Sequence, residues 1–157
     1  MKHILSVLGT MTFVLLFLSC SSDDPSDEKQ GVDARFVGTW ELTEVNVSEP
    51  IDTNDDGTTT SNLMTEVDCL RDTLVLTENS AWSSTGVFPQ LISPITGNLY
   101  NVDCSGVIDR SGNWVSSGNT LNLIGSIQAV LVLSGDRLTL IIGDDLPGLQ
   151  SLVYAKQ

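Results

Sequence analysis

Ser134-Gly135-Asp136-Arg137-Leu138-Thr139-Leu140-Ile141-Ile142 is the stretch on which the fold reading turns. Leu138, Leu140 and Ile142 recur at every second residue, which puts them on one face of an extended strand. The Ser-Gly-Asp in front of them tolerates a tight turn. The same grammar repeats in the chain on the N-terminal side. Thr120-Leu121-Asn122-Leu123 alternates after Ser117-Gly118-Asn119, and Glu78-Asn79-Ser80 offers the same turn chemistry ahead of Ala81. Nine runs read as strands: Thr39–Val47, Asp72–Thr77, Ala81–Thr85, Tyr100–Ile108, Asn113–Ser116, Thr120–Ile124, Ile127–Leu133, Arg137–Ile142 and Leu152–Lys156. Val130-Leu131-Val132-Leu133 is apolar on both faces, so it is either covered on two sides or part of an interface. Gly86–Leu99, with Pro89, Pro94 and Gly97, is too irregular for a central strand and reads as a packed surface loop, a lid being the rival. No segment of a dozen residues keeps a helical period. The expectation is an all-β antiparallel meander, closed as an up-and-down barrel, with a sandwich as the alternative.

The chain has 157 residues, enough for one domain, with 20 Asp+Glu against 7 Lys+Arg and a formal charge of −13. This balance opposes nucleic-acid binding, which needs clustered cations. Its only histidine is His3, inside a segment that reads as an export signal. The remaining chain therefore has no histidine for a triad, for acid–base work or for a metal shell.

That signal is residues 1–19. Met1-Lys2-His3 gives a short basic start, and Ile4–Leu18 is mainly apolar but short for a membrane span, which takes about 20 residues. Leu18-Ser19-Cys20 then places a small residue before a cysteine and resembles a lipobox, with Cys20 lipidated as the mature N-terminus. An ordinary signal peptide with an incidental cysteine, or an uncleaved anchor, is the other reading. Losing residues 1–19 removes only Lys2 among the charged side chains, so the charge moves to −14. Residues 20–33 begin Cys20-Ser21-Ser22-Asp23-Asp24-Pro25 and carry no large apolar side chain before Val32, so they read as an acidic disordered tether. Acidic residues after the lipidated cysteine resemble the export signal of Bacteroidetes-type surface lipoproteins. The expected place is the outer membrane, facing the cell surface, with a periplasm-facing position as the alternative.

Residues 34–157 remain for the folded domain. Phe36-Val37-Gly38-Thr39-Trp40-Glu41-Leu42 opens the first strand with Gly-x-Trp, where glycine permits close approach and Trp40 can plug a barrel end. This resembles the Gly-x-Trp signature of lipocalins. Asp72–Asn79, Gly112-Asn113-Trp114, Gly118–Leu123 and the terminal Leu152-Val153-Tyr154-Ala155-Lys156 are similar to lipocalin-like domains of Bacteroidetes-type lipoproteins. The resemblance implies an up-and-down barrel of about eight strands with an internal cavity, and a late basic residue over Trp40. Lys156 is the best-placed counterpart and Arg137 the second.

With Cys20 assigned to the anchor, Cys69 and Cys104 form an even pair in an oxidising compartment. A disulfide between them would close a loop of about 35 residues; two buried free thiols are the rival, and a redox pair lacks the Cys-x-x-Cys spacing. Asp52, Asn54 and Asp56 stand at positions 1, 3 and 5 of a calcium-loop pattern, Gly57 at 6 and Thr58 at 7 as a carbonyl donor. Position 12 is Leu63 where a Glu is needed, with Glu66 or Asp68 as nearby substitutes. The plainer reading is an exposed polar turn, so Ca²⁺ is a candidate ion and no cofactor is required. No Gly-x-Ser-x-Gly or phosphate loop appears, and 20 acidic residues make chance carboxylate pairs unavoidable, so no enzyme is expected. Trp82 and Trp114 read as core, with a ligand surface as the rival. The functional expectation is a lipid-anchored barrel binding a small apolar or amphipathic molecule against aliphatics such as Leu42, Leu74, Leu76, Leu121, Leu123, Leu138 and Leu140. The alternative is an accessory module with a filled barrel that meets a protein or glycan partner.

Overall fold

A computed structural model describes residues 32–88, 90–92, 101–142 and 148–157. The expectations for the signal segment, Cys20 and the tether, and most of the 86–99 loop, lie outside the described residues. Among the described residues eleven strands follow one another: β1 (Gly38–Ile51), β2 (Thr60–Asn62), β3 (Arg71–Leu76), β4 (Ala81–Val87), β5 (Gln90–Ile92), β6 (Asn101–Asp103), β7 (Ile108–Ser117), β8 (Thr120–Gly125), β9 (Ala129–Ser134), β10 (Arg137–Ile141) and β11 (Leu149–Lys156). Eight of them, β1-β3-β4-β7-β8-β9-β10-β11, form an antiparallel ring that closes through β11 on β1. β2 pairs with β1 outside the ring, and β5 and β6 pair only with each other. The up-and-down barrel expected from the alternation is the fold, and the sandwich alternative falls away.

β1 is 14 residues long and serves two neighbours on one edge. Its first half pairs β3 from Gly38–Leu76 to Glu41–Thr73, and its second half pairs β2. Irregularities after Leu42 and Asn46 in its pairing with β11 bend it around the barrel. The period-2 residues face inward as the pattern demands: Leu121 and Leu123 from β8, Leu131 and Leu133 from β9, Leu138 from β10 are all buried. An eight-stranded barrel has an interior that side chains can fill. Here Trp40, Trp114, Phe36, Leu76, Leu121, Leu131 and Leu138 fill it.

One strand departs from expectation. Tyr100–Ile108 is not continuous: β6 covers only Asn101–Asp103, Cys104–Val107 is irregular, and β7 starts at Ile108. Gly106 takes a positive φ of 106°, which breaks the extended run. β7 instead runs straight through Gly112, which the sequence reading placed before a strand. A side chain at Gly112 would stand 1.9 Å from the Ile124 carbonyl and 2.8 Å from Trp82 Nε1, so glycine there lets Trp82 cross to β8.

A short turn also escapes any period. Leu63–Thr65 forms one turn of 3₁₀ helix capped by Asn62, whose side chain accepts from Met64 N. Leu63, Val67 and Leu70 around it join the barrel core.

Candidate functional site

The two ends of the barrel differ. At one end Trp40 is fully buried and donates from Nε1 to the Phe36 carbonyl at 2.8 Å. Lys156 Nζ lies 5.2 Å from the Trp40 ring and donates to the Arg35 carbonyl at 2.7 Å. Arg35 holds Asp33 at 2.7 Å and reaches Gly118 O and Asn119 Oδ1 on the β7–β8 turn. This end is therefore shut by the segment before β1 and by ties to a neighbouring turn. Lys156 is the basic residue over Trp40; Arg137, the second candidate, pairs with Glu44 instead.

The far end carries the concave surface. β9 and β10 pair from Ser134–Arg137 to Leu131–Leu140. Past that point lies a groove of about 850 Å³, open to solvent, lined by Leu123, Ile124, Ile127, Val130, Leu140 and Ile142 among others. Its size falls in the range of small-molecule sites, about 300–1,000 Å³, and its lining is mostly apolar. Directly inside is a chamber of about 40 Å³ within the barrel. Leu123, Ile127, Ala129 and Leu140 line both spaces, and the chamber adds Asp72, Ser84, Arg110 and Tyr154. Of the seven aliphatics expected on a ligand wall, Leu123 and Leu140 line the groove and Leu74 the chamber. Leu42, Leu76, Leu121 and Leu138 are packed into the core.

Asp72 and its partners escaped sequence reading, because an Asp at the first inward position of a strand looks like one more surface acid. It is 3% exposed. The Tyr154 hydroxyl donates to Oδ2 at 2.9 Å, while Oδ1 has no hydrogen-bond partner. An unmade buried bond costs about 1–3 kcal/mol and more for a charged group. Burial pushes the Asp72 carboxyl above its ordinary range; the Tyr154 bond, the nearby Ser84 hydroxyl and the Arg110 guanidinium only partly offset that. Ser84 sits near the carboxyl without completing a hydrogen bond to Oδ1. Burial, and then Asp72, push the Tyr154 phenol far up, so it stays a neutral donor. Arg110 rests over the Phe88 ring at 5.0 Å. Trp82 also lines the chamber, and its Nε1 donates to Ile124 O at 3.2 Å; Trp114 is core.

Cys69 and Cys104 are bonded, with Cα atoms 6.0 Å apart, and tie the chain before β3 to the end of β6. The 52–58 loop is a set of Asx turns. Asp52 accepts from Asp55 N and Gly57 N, Asn54 from Asp56 N and Asp56 from Thr58 N. Glu66 comes back to the loop, accepting from Thr53 N at 3.1 Å, whereas Asp68 is exposed. Among the described residues no three His, Cys, Asp or Glu side chains converge as a metal cluster.

The outer wall keeps Val115, Ile124, Val130, Val132 and Ile141 exposed, so the doubly apolar Val130–Leu133 run has one buried face and one bare one. No helix among the described residues is long and apolar enough to cross a membrane. No family model, curated protein or solved structure matches the chain.

Proposed function

We propose that this protein is a lipid-anchored, lipocalin-like lipoprotein of the Bacteroidetes type, held at the outer membrane and facing the cell surface. It binds a small apolar or amphipathic molecule without catalysis. The observation that carries the binding reading is the mainly apolar groove, which shares Leu123, Ile127, Ala129 and Leu140 with a small chamber inside the barrel. Apolar lining with a few convergent polar groups is the usual make-up of a small-molecule site. The proposed site is the groove, lined by Val115, Val130 and Ile141 as well as by Leu123 and Leu140. Native mass spectrometry of the protein purified from its host tests this: a co-purifying small molecule supports it, and an empty chain carrying a protein partner overturns it. The anchor is tested separately, since Cys20→Ala should release the protein from membranes.

A second reading, an accessory module for a protein or glycan partner, draws on the exposed Val132, which lies outside the groove that Val115 and Val130 line. Calcium at Asp52, Asn54, Asp56 and the Thr58 carbonyl is an ancillary proposal. It draws on the return of Glu66 to the loop and on the positive φ of Gly57, 82°. A calcium-dependent rise in melting temperature that Asp52→Ala abolishes would support it; no rise retires it.

A further inference from the structure

One stretch of the barrel wall carries no charge. The chain has 20 Asp+Glu and 7 Lys+Arg, yet none of them lies between Arg110 and Asp136. That stretch holds most of β7, all of β8 and β9, and the turns between them. Leu121, Leu123, Leu131 and Leu133 point into the core, so their neighbours along each strand face outward. Val115, Asn122 and Val130 are register partners and make one outward row across three strands. Thr120, Val132 and Thr139 make the next row, across β8, β9 and β10. Val115, Ile124, Val130, Val132 and, on β10, Ile141 are 42–62% exposed. Apart from Asn122, these outward side chains are all β-branched, so they are stiff at χ1 and lose little freedom when covered. Such a wall is what one sheet presents to another packed about 10 Å away.

We propose that this wall pairs with the same wall of a second copy, as an isologous dimer centred near Asn122. Charge selects the copy over a foreign protein. Each chain carries a formal charge of −13, so two copies repel wherever their acids meet. A basic partner would be drawn to acids, and its footprint would keep them. A copy brings the same acids with it, so its footprint has to be free of them, as this one is. In a two-fold interface the residue at the axis meets itself. Asn122 sits between Val115 and Val130 in the middle of the row. Its amide has both donor and acceptor and can pair with its own copy, which neither Asp nor Lys could do. Val115, Asn122, Val130 and Ile141 also line the groove, so the copy would supply the wall that the open groove lacks. The dimer does not depend on the groove holding a ligand.

Sedimentation velocity of the full chain from about 1 to about 500 μM tests the pairing. The natural chain should dimerise within that range. Asn122→Asp and Asn122→Lys, each alone, should weaken the dimer about tenfold or more, because like charges then face each other. Mixed in equal amounts, the two variants should restore it, because opposite charges then meet. Val130→Glu should weaken it as well, at an outward position that folding leaves half exposed. A natural chain that stays monomeric overturns the proposal. So does a dimer that survives both Asn122→Asp and Val130→Glu, since it is then joined elsewhere, residues 1–30 included, which every variant retains. Variants that stay apart when mixed overturn it too, because residue 122 then does not meet itself. Native mass spectrometry of the same samples separates this from the ligand reading. A dimer without a small molecule leaves the interface and removes the ligand, while a monomer carrying one does the reverse.

Discussion

Asp72 is costly to the folded state wherever its carboxyl must be charged. Its pKa is raised on folding above the ordinary 3.8, chiefly by burial. The native state therefore holds a proton that the unfolded chain has already released, in the window from 3.8 up to the raised value. Stability falls as pH rises through that window and stays lowered above it; each pKa unit corresponds to about 1.4 kcal/mol. Asp72→Asn removes the titration and should be more stable than the natural chain at pH 7. That advantage should shrink as pH drops toward 4, read from urea midpoints at each pH. An advantage that does not change with pH would mean that Asp72 does not titrate differently in the two states. The two late cations give a second contrast. Lys156 has a ring beneath it and the Arg35 carbonyl to donate to, while Arg137 makes a surface pair with Glu44. Lys156→Met should cost about 1–2 kcal/mol and Arg137→Met under about 1 kcal/mol in the same assay. The sequence could rank these two only by their place in the chain. What separated them was the approach of the 32–37 segment, which has no period to read.

At the scale of elements, turn residues and alternation made seven of the eight ring strands legible to within a few residues. β7 was recognised only in its second half, because Gly112 looks like a terminator in sequence and serves as a crossing point in the fold. The groove was not legible, since it depends on where the β9–β10 ladder stops and not on which residues alternate. Neither was the chamber, whose polar members come from four strands far apart in the chain. The β5–β6 pair, like β2, lies outside the ring, and the Cys69–Cys104 bond ties its end to the chain before β3. Those cysteines are 35 residues apart, and in the chain-entropy model their bond stabilises by about 3–4 kcal/mol. Reduction should lower the melting temperature by about 10 °C for a domain of this size. Cys69→Ala with Cys104→Ala should reproduce that shift and be insensitive to reductant. A shift under about 2 °C would mean the unfolded chain is already constrained over this stretch.

For the whole molecule, chain order and barrel order coincide almost everywhere. β7 through β11 run as consecutive hairpins, and so do β3 and β4. One pairing is different in kind: β11 closes on β1, joining Trp40 to Lys156 across more than a hundred residues. Loop-closure entropy grows only with the logarithm of length, yet it must be overcome before the pairing stabilises anything. Hairpins of the β7–β10 meander face a far smaller closure cost, so they are the natural nucleus and the seam between β11 and β1 should form late. Leu152 lies on that seam, opposite Val45 and beside Leu140, and Leu121 lies within the meander; both are buried. Truncating either to alanine should cost about 2–5 kcal/mol. The two losses should divide differently between the rates. Leu152→Ala should chiefly speed unfolding and leave the folding rate nearly unchanged, whereas Leu121→Ala should slow folding. Urea chevrons of the two variants provide the measurement. A slower folding limb in Leu152→Ala would place the seam in the transition state and make closure, not the meander, the step that commits the chain to its barrel.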